Sequence, residues 1–254
     1  MEWNMKKILS TLALAAAMTT VVSADMMRIE MGGGVWKETP SGYAKRTDSG
    51  GVLHLNGTYT SREKESSEAY AWLLIKHPIF IIPNIRLEYV SISDEGLTSG
   101  SVNGINIPGS APTTMDIKEY DIIPYYNLLD NTFWTTIDLG LDAKVIESDV
   151  VVSPVTGFSG YTTTDTTVIP LVYVRGRIEI PSTGLGLEAD VKAITDGTDT
   201  MYDVRAKIDY TFDFDVIQPG IEVGYRTQKV KIDDGSTQVD LDYSGVYAGL
   251  MLRF

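Results

Sequence analysis

The chain has 254 residues, with 21 Lys and Arg against 34 Asp and Glu, 23 Gly, 14 Tyr, 6 Phe and no Cys. Absence of cysteine excludes a disulfide framework and a thiolate metal centre, and the net charge of −13 excludes partners met by clustered Lys and Arg, nucleic acid above all. His54 and His77 are the two histidines, so neither a metal nor another cofactor is expected.

Lys6 and Lys7 precede an uncharged run from Ile8 to Val22, and the run ends in Val22-Ser23-Ala24. A positive segment, an apolar segment and small residues at a cleavage site predict a signal peptide over residues 1–24. The run is shorter than the ~20 residues a membrane-crossing helix needs. Residues 25–254 form the expected mature domain.

Beyond Asp25 the dominant period is two, the mark of strands with unlike faces. From Tyr202 to Phe214, one face carries Tyr202, Val204, Ala206, Ile208, Tyr210, Phe212 and Phe214, and the other is polar throughout. Leu185–Ala193 and Thr135–Val145 repeat the pattern. Ten strands are predicted, roughly 26–37, 68–77, 83–93, 115–127, 133–146, 167–180, 184–195, 200–213, 217–232 and 239–254, with boundary errors of ~2–4 residues. Pro181-Ser182-Thr183-Gly184, Asp196-Gly197, Gln218-Pro219-Gly220 and Asp233-Asp234-Gly235 supply turn chemistry, and Asn56-Gly57 reads as a further turn. Short links are expected at 128–132, 181–183 and 214–216, and long polar loops at 38–67, 94–114 and 147–166. Val52–Thr60 is strand-like but is placed inside the first long loop.

Alternation does not say which face is inside. A soluble sandwich buries the apolar face, whereas a membrane barrel turns it to lipid. The predicted strands exceed the usual ~5–6 residues and match a tilted bilayer crossing. Aromatics such as Tyr210, Phe212 and Phe214 gather near strand ends, and short turns alternate with long loops. The expectation is therefore an all-β, ten-stranded antiparallel transmembrane β-barrel. Its lumen would carry Arg175, Arg177, Glu179, Glu188, Asp190, Lys192, Arg205, Lys207, Asp209, Glu222 and Arg226, with Arg86, Glu88, Asp138 and Asp142 on the same polar faces. These charges read either as an ion-pair lattice filling the barrel or as a charged conduit.

The last strand alternates through Val246, Ala248, Leu250 and Leu252 to Phe254, and this tail resembles the assembly signal of outer-membrane barrels. HPIFIIPNIRLEY (77–89), YDIIPYYNLLDN (120–131), IDLGLDAKV (137–145), YVRGRIEIPSTGLGLEADV (173–191) and YDVRAKIDYTFDF (202–214) are similar to a family of small outer-membrane β-barrel proteins of Gram-negative bacteria. That resemblance implies export through the periplasm to the outer membrane, lipid and lipopolysaccharide as surroundings, and the barrel-assembly machinery as a partner reading Phe254. It brings no catalytic residues.

Catalytic candidates are few. His77 falls at an inner turn, and His54, near Asp48, Ser49 and Ser61, reads as a plain loop residue, so no enzyme activity is expected. Asp233-Asp234 reads as a turn before it reads as a cation site. Gly32-Gly33-Gly34 lacks the strand-to-helix step of a phosphate loop and suits close strand packing. The favoured function is a narrow transport barrel for small solutes, since ten strands fall far short of a sixteen-strand porin bore. A structural or surface-interaction barrel is the alternative, and a rim hydrolase is the least favoured.

Overall fold

A computed structural model describes residues 27–47, 55–79, 81–102, 105–214, 217–233 and 235–254. The expected signal peptide, Asp48, Ser49, His54 and Asp234 lie outside the described residues. The strands are β1 (Arg28–Thr47), β2 (Leu55–Ser61), β3 (Ser66–Lys76), β4 (Asn84–Val102), β5 (Ile105–Thr132), β6 (Thr135–Val152), β7 (Tyr161–Glu179), β8 (Leu185–Thr195), β9 (Thr200–Thr211), β10 (Gln218–Asp233) and β11 (Thr237–Arg253). All neighbours pair antiparallel, and β1 pairs with β11 from Glu30↔Arg253 to Arg46↔Thr237, closing the sheet into a barrel. Closure leaves no open edge, which is what a sheet in lipid requires.

β2 and β3 share one place in the ring. Both lie between β1 and β4, β2 against Tyr43–Thr47 and β3 against Arg28–Glu38. Residues 62–65 interrupt them, with Glu63 in the left-handed region at φ 56. Eleven segments thus make a ring of ten, as the sequence predicts. Arg28 and Arg253 stand at one end with the β3–β4, β5–β6, β7–β8 and β9–β10 connections.

Several sequence expectations are corrected. The stretch 38–67 is not a long loop, because β1 runs to Thr47 and β2 begins at Leu55. Within Val52–Thr60, placed inside that loop, Asn56–Thr60 is strand and pairs with β1 on one side and with β4 on the other. Asn56-Gly57 is therefore strand, not turn. The supposed loops 94–114 and 147–166 are mostly ladder, leaving gaps only between β4 and β5 and between β6 and β7. Gln218-Pro219-Gly220 opens β10 against Gly220↔Thr211, and the 128–132 link shrinks to the Phe133-Trp134 turn, both at positive φ.

The reason lies in a reversal of faces along the strands. In the lower barrel the outward side chains are apolar: Leu87, Ile122, Leu139, Leu141, Val174, Leu187, Ile208, Val223 and Leu250 are all exposed. Arg205, Lys207, Glu188 and Asp190 face inward and are buried. This belt ends near Val35, Tyr89, Tyr120, Val145, Val168, Tyr225 and Val246. Beyond it the rule inverts. Val90, Ile92, Met115, Ile117, Leu241 and Tyr243 are buried inside, while Ser91, Ser93, Asp116, Lys118, Asp240 and Asp242 alternate on the outer face. A side chain leaving lipid for water must become polar, and the interior must then supply the apolar core.

Candidate functional site: the barrel interior

The interior is layered along its axis. At the end carrying Arg28 and Arg253, Arg28 pairs with Glu30 and Glu179, Arg253 with Glu30 at 2.9 Å, and Arg177 with Glu179 at 3.1 Å. A cavity of about 530 Å³ opens here beside Trp134, Arg177, Glu179 and Arg253.

A continuous ion-pair lattice fills the middle. Lys192 Nζ lies 2.8 Å from Glu88, 2.5 Å from Asp121 and 2.9 Å from Asp203. Lys144 meets Asp121 at 2.7 Å and Glu119 at 3.0 Å. Arg226 forks onto Asp203 at 2.9 and 2.7 Å, and Arg177 onto Asp209 at 2.6 and 2.8 Å. Glu188 accepts from Arg175 at 2.8 Å, from Arg177 at 3.2 Å and from Arg86 at 3.3 Å. Arg205 holds Asp190 at 2.9 Å and also reaches Glu88. Lys207 donates to Glu222 at 2.8 Å, which accepts from Tyr70 and Trp72 as well.

Two tryptophans brace the lattice. Lys207 lies 4.5 Å from the Trp72 ring centre and Arg226 4.7 Å from that of Trp36. Room for Trp72 comes from Gly32, where a Cβ would meet its indole nitrogen at 2.6 Å. The glycine run of the first strand is thus a packing feature. The space left between Trp36, Trp72, Arg205 and Glu222 is about 20 Å³, room for about one water.

Of the eleven charges singled out from the sequence, ten lie in this layer and Glu179 stands at the mouth, its side chain 32% exposed. Sequence reasoning left out Glu119, Asp121, Trp36 and Trp72. The first two were legible in Met115-Asp116-Ile117-Lys118-Glu119-Tyr120-Asp121-Ile122, where the apolar parity flips between Ile117 and Tyr120. No periodicity marks an aromatic that faces a lumen.

Above the lattice lies an apolar layer. Trp36, Tyr59, Val90, Ile92, Met115, Ile117, Leu241, Tyr243 and Tyr247 pack as one cluster. Phe158, in the loop between β6 and β7, tucks against Ile107, Ala111 and Val152. A cavity of about 690 Å³ opens outward here, walled by Tyr59, Ile107, Met115, Val150, Val152 and Tyr161 and lined also by Lys45, Arg46, Asp165 and several Ser and Thr. It shares no lining residue with the cavity at the other mouth.

Three buried carboxylates edge this upper layer: Glu38, Glu68 and Asp94. Ser66 Oγ donates to Glu38 at 3.2 Å and also meets Glu68, and Ser61 Oγ donates to Asp94 at 3.0 Å. Burial, reinforced by Glu68 and Asp94, pushes the Glu38 carboxyl up to about 8. Burial also raises Asp94.

Among the described residues no group of His, Cys, Asp and Glu converges to hold a metal ion. His77 stands at the lower turn, its Nε2 3.1 Å from the Pro83 carbonyl oxygen. The backbone of Phe254 exchanges hydrogen bonds with Ile29, extending the closing seam.

No family model matches the chain, and no curated protein matches it. Among solved structures, the outer membrane protease OmpT from Escherichia coli is similar in fold. Its TM-score is 0.50 at 12% identity over 93% of this chain and 99% of that one. The translocator domain of autotransporter NalP from Neisseria meningitidis has a TM-score of 0.40 at 13% identity, over 98% of this chain and 96% of that one. For outer membrane protein OprG from Pseudomonas aeruginosa the values are 0.35, 10%, 91% and 98%. The first of these likenesses reaches over nearly the whole barrel, and what it establishes is architecture: this chain has the fold of the Gram-negative outer-membrane β-barrels.

Proposed function

We propose that the protein is an integral outer-membrane barrel closed through its middle, working at the cell surface through its outer cup. The observation that carries this reading is the lattice around Lys144, Lys192 and Asp203, all of them fully buried. A hydrated solute would have to part several pairs at once, and each separated charge would stand uncompensated at low dielectric. A narrow transport barrel for small solutes, the class favoured by the sequence, requires that opening. A surface-interaction barrel requires only what is already in place.

Lipid against the belt and lipopolysaccharide around the polar outer strands are the surroundings this reading implies, with the barrel-assembly machinery as the inserting partner. No catalytic step is part of it. The proteolysis in the name of the E. coli protein stays with that protein, since at 12% identity the likeness extends to fold alone. Single-channel recording of the purified, folded protein in a planar bilayer tests the closure. No unitary conductance steps are expected; reproducible steps of fixed size would sink the closed-barrel reading in favour of transport.

A further inference from the structure

We propose that the outer edge of β7 pairs with an extended, basic segment of another protein, taken up as an added strand. The inference rests on the surface reading above and names the partner of the cup's rim. β6 holds β7 over almost its whole length, from Thr135↔Ile178 to Val152↔Tyr161, without a break in register. On the other side β8 pairs with it only from Val172↔Ala193 inward, because the β8–β9 hairpin turns back at Thr195↔Thr200. Tyr161–Leu171 therefore has no neighbouring strand on that side among the described residues. At ~3.3 Å per residue the open edge is about 35 Å long.

The direction of the free groups follows from the foot of the strand. Glu179 donates its backbone N–H to Trp134, on the β6 side, and Ile180 donates to Leu185, on the β8 side. In an unbroken antiparallel ladder this alternation carries upward. Thr162, Thr164, Thr166 and Val168 thus turn their N–H and C=O groups into the gap, where no described segment bonds to them. Pro170, which has no N–H to give, falls in the same series, a placement that an edge strand tolerates. All four of these gap-facing residues are exposed. The belt ends near Val168, so the unpaired groups above it meet water rather than lipid, which would forbid them.

Sequence and charge say what the edge accepts. Natural edges are blunted by Lys, Pro or bulges, and Tyr161–Ile169 contains none of these. It reads YTTTDTTVI, rich in residues that favour a pleated strand. Acids surround the gap: Asp165 on the strand itself, Asp149 in register with Thr164, and Asp196 and Asp199 in the turn below. Lys231, opposite Thr200, is a cation on the far side of that turn, while Lys45 and Arg46 enter the cup from β1, halfway round the ring. A segment alternating Lys or Arg with β-branched residues meets Asp165 with opposite charge across the new ladder. A second copy of this chain is the poorer occupant, since it sets one acidic edge against another.

Fluorescence anisotropy with the full-length folded barrel in zwitterionic detergent tests this. The probe is a labelled peptide of alternating lysine and threonine long enough to span the edge. Its control is the same peptide N-methylated at alternate residues, which keeps the charge and loses the donors. The peptide is expected to bind one-to-one, and the control roughly tenfold or more weaker, because several backbone hydrogen bonds are lost. Thr164→Pro removes a donor from the gap and none from the β6 ladder, so it should weaken the peptide by about tenfold, whereas Thr164→Val should not. Asp165→Asn should weaken it by about threefold. Heat-modifiable mobility on gels confirms that each variant is folded. Equal binding of both peptides, or full binding by Thr164→Pro, overturns the edge inference and leaves the surface reading standing. Absence of peptide binding overturns it as well. A dimer of the peptide-free barrel that Thr164→Pro dissociates would assign the edge to a second copy instead. The conductance measurement judges the closed lumen on its own.

Discussion

Lys192 shows at one residue how the interior is stabilised. Its ammonium contacts Glu88, Asp121 and Asp203 while fully buried. Removing one member leaves its partners buried and uncompensated, so Lys192→Ala is expected to destabilise the barrel by ~3–5 kcal/mol, read as a lower urea midpoint in detergent. A change below 1 kcal/mol would mean that water reaches the lattice. Glu38 supplies the corresponding pH test. Its carboxyl is raised to about 8, so between the ordinary carboxyl range and about 8 the folded protein holds a proton that the unfolded chain has released. Stability should therefore fall as pH rises through that window, and Glu38→Gln should flatten the fall. An unchanged slope of unfolding midpoint against pH in that variant would assign the proton to another group.

At the scale of elements, the break between β2 and β3 is a place where the chain keeps its position in the ring but loses its register. Glu63 occupies φ 56 there, a region that costs a non-glycine residue ~1–2 kcal/mol. Glu63→Gly is expected to raise the urea midpoint by the equivalent of ~1 kcal/mol. A lowered midpoint would show that the Glu63 side chain contributes more than its backbone strain removes. The same break explains why residues 38–67 were misread. Pro40, Gly42 and Gly57 interrupt the sequence pattern, and beyond Lys37 the apolar Tyr43 and Ala44 of β1 are adjacent and so fall on opposite faces, which leaves no alternation to mark a strand.

The reversal of faces within single strands was partly open to view. In β11, Val239, Leu241 and Tyr243 are inward, whereas Val246, Ala248 and Leu250 are outward. The shift from odd to even positions falls where the strand enters the belt. Likewise β4 changes between Tyr89 and Val90, so a search for parity shifts would have extended β4 past its predicted end at 93, whereas the reversed part of β11 already lay within the predicted 239–254. The charged face itself was legible from alternation alone, and the positions of Arg175, Arg177, Glu188, Asp190, Lys192, Arg205 and Lys207 followed from strand parity.

For the whole molecule, the belt predicts a depth-dependent response to charge. Leu141 is 65% exposed in mid-belt, so Leu141→Arg should cost ~2–4 kcal/mol, whereas the same change near an interface costs ~0–1. Thr166 faces outward beyond the belt, and Thr166→Arg should be nearly neutral. Folding into vesicles followed by urea titration compares the two, and equal costs would place the lipid boundary elsewhere.

Sequence by itself determined the all-β class, the ten positions of the ring and the sorting of apolar and charged faces, because a period of two and the length of a crossing are local properties of the chain. Tertiary structure alone decided that β2 and β3 share one place, that the lumen is filled, and that Glu38, Glu68 and Asp94 are buried above the lattice. Those facts depend on which strands face one another across the barrel. Lys192 and Glu88 are 104 residues apart, and only closure of the sheet brings such residues within reach.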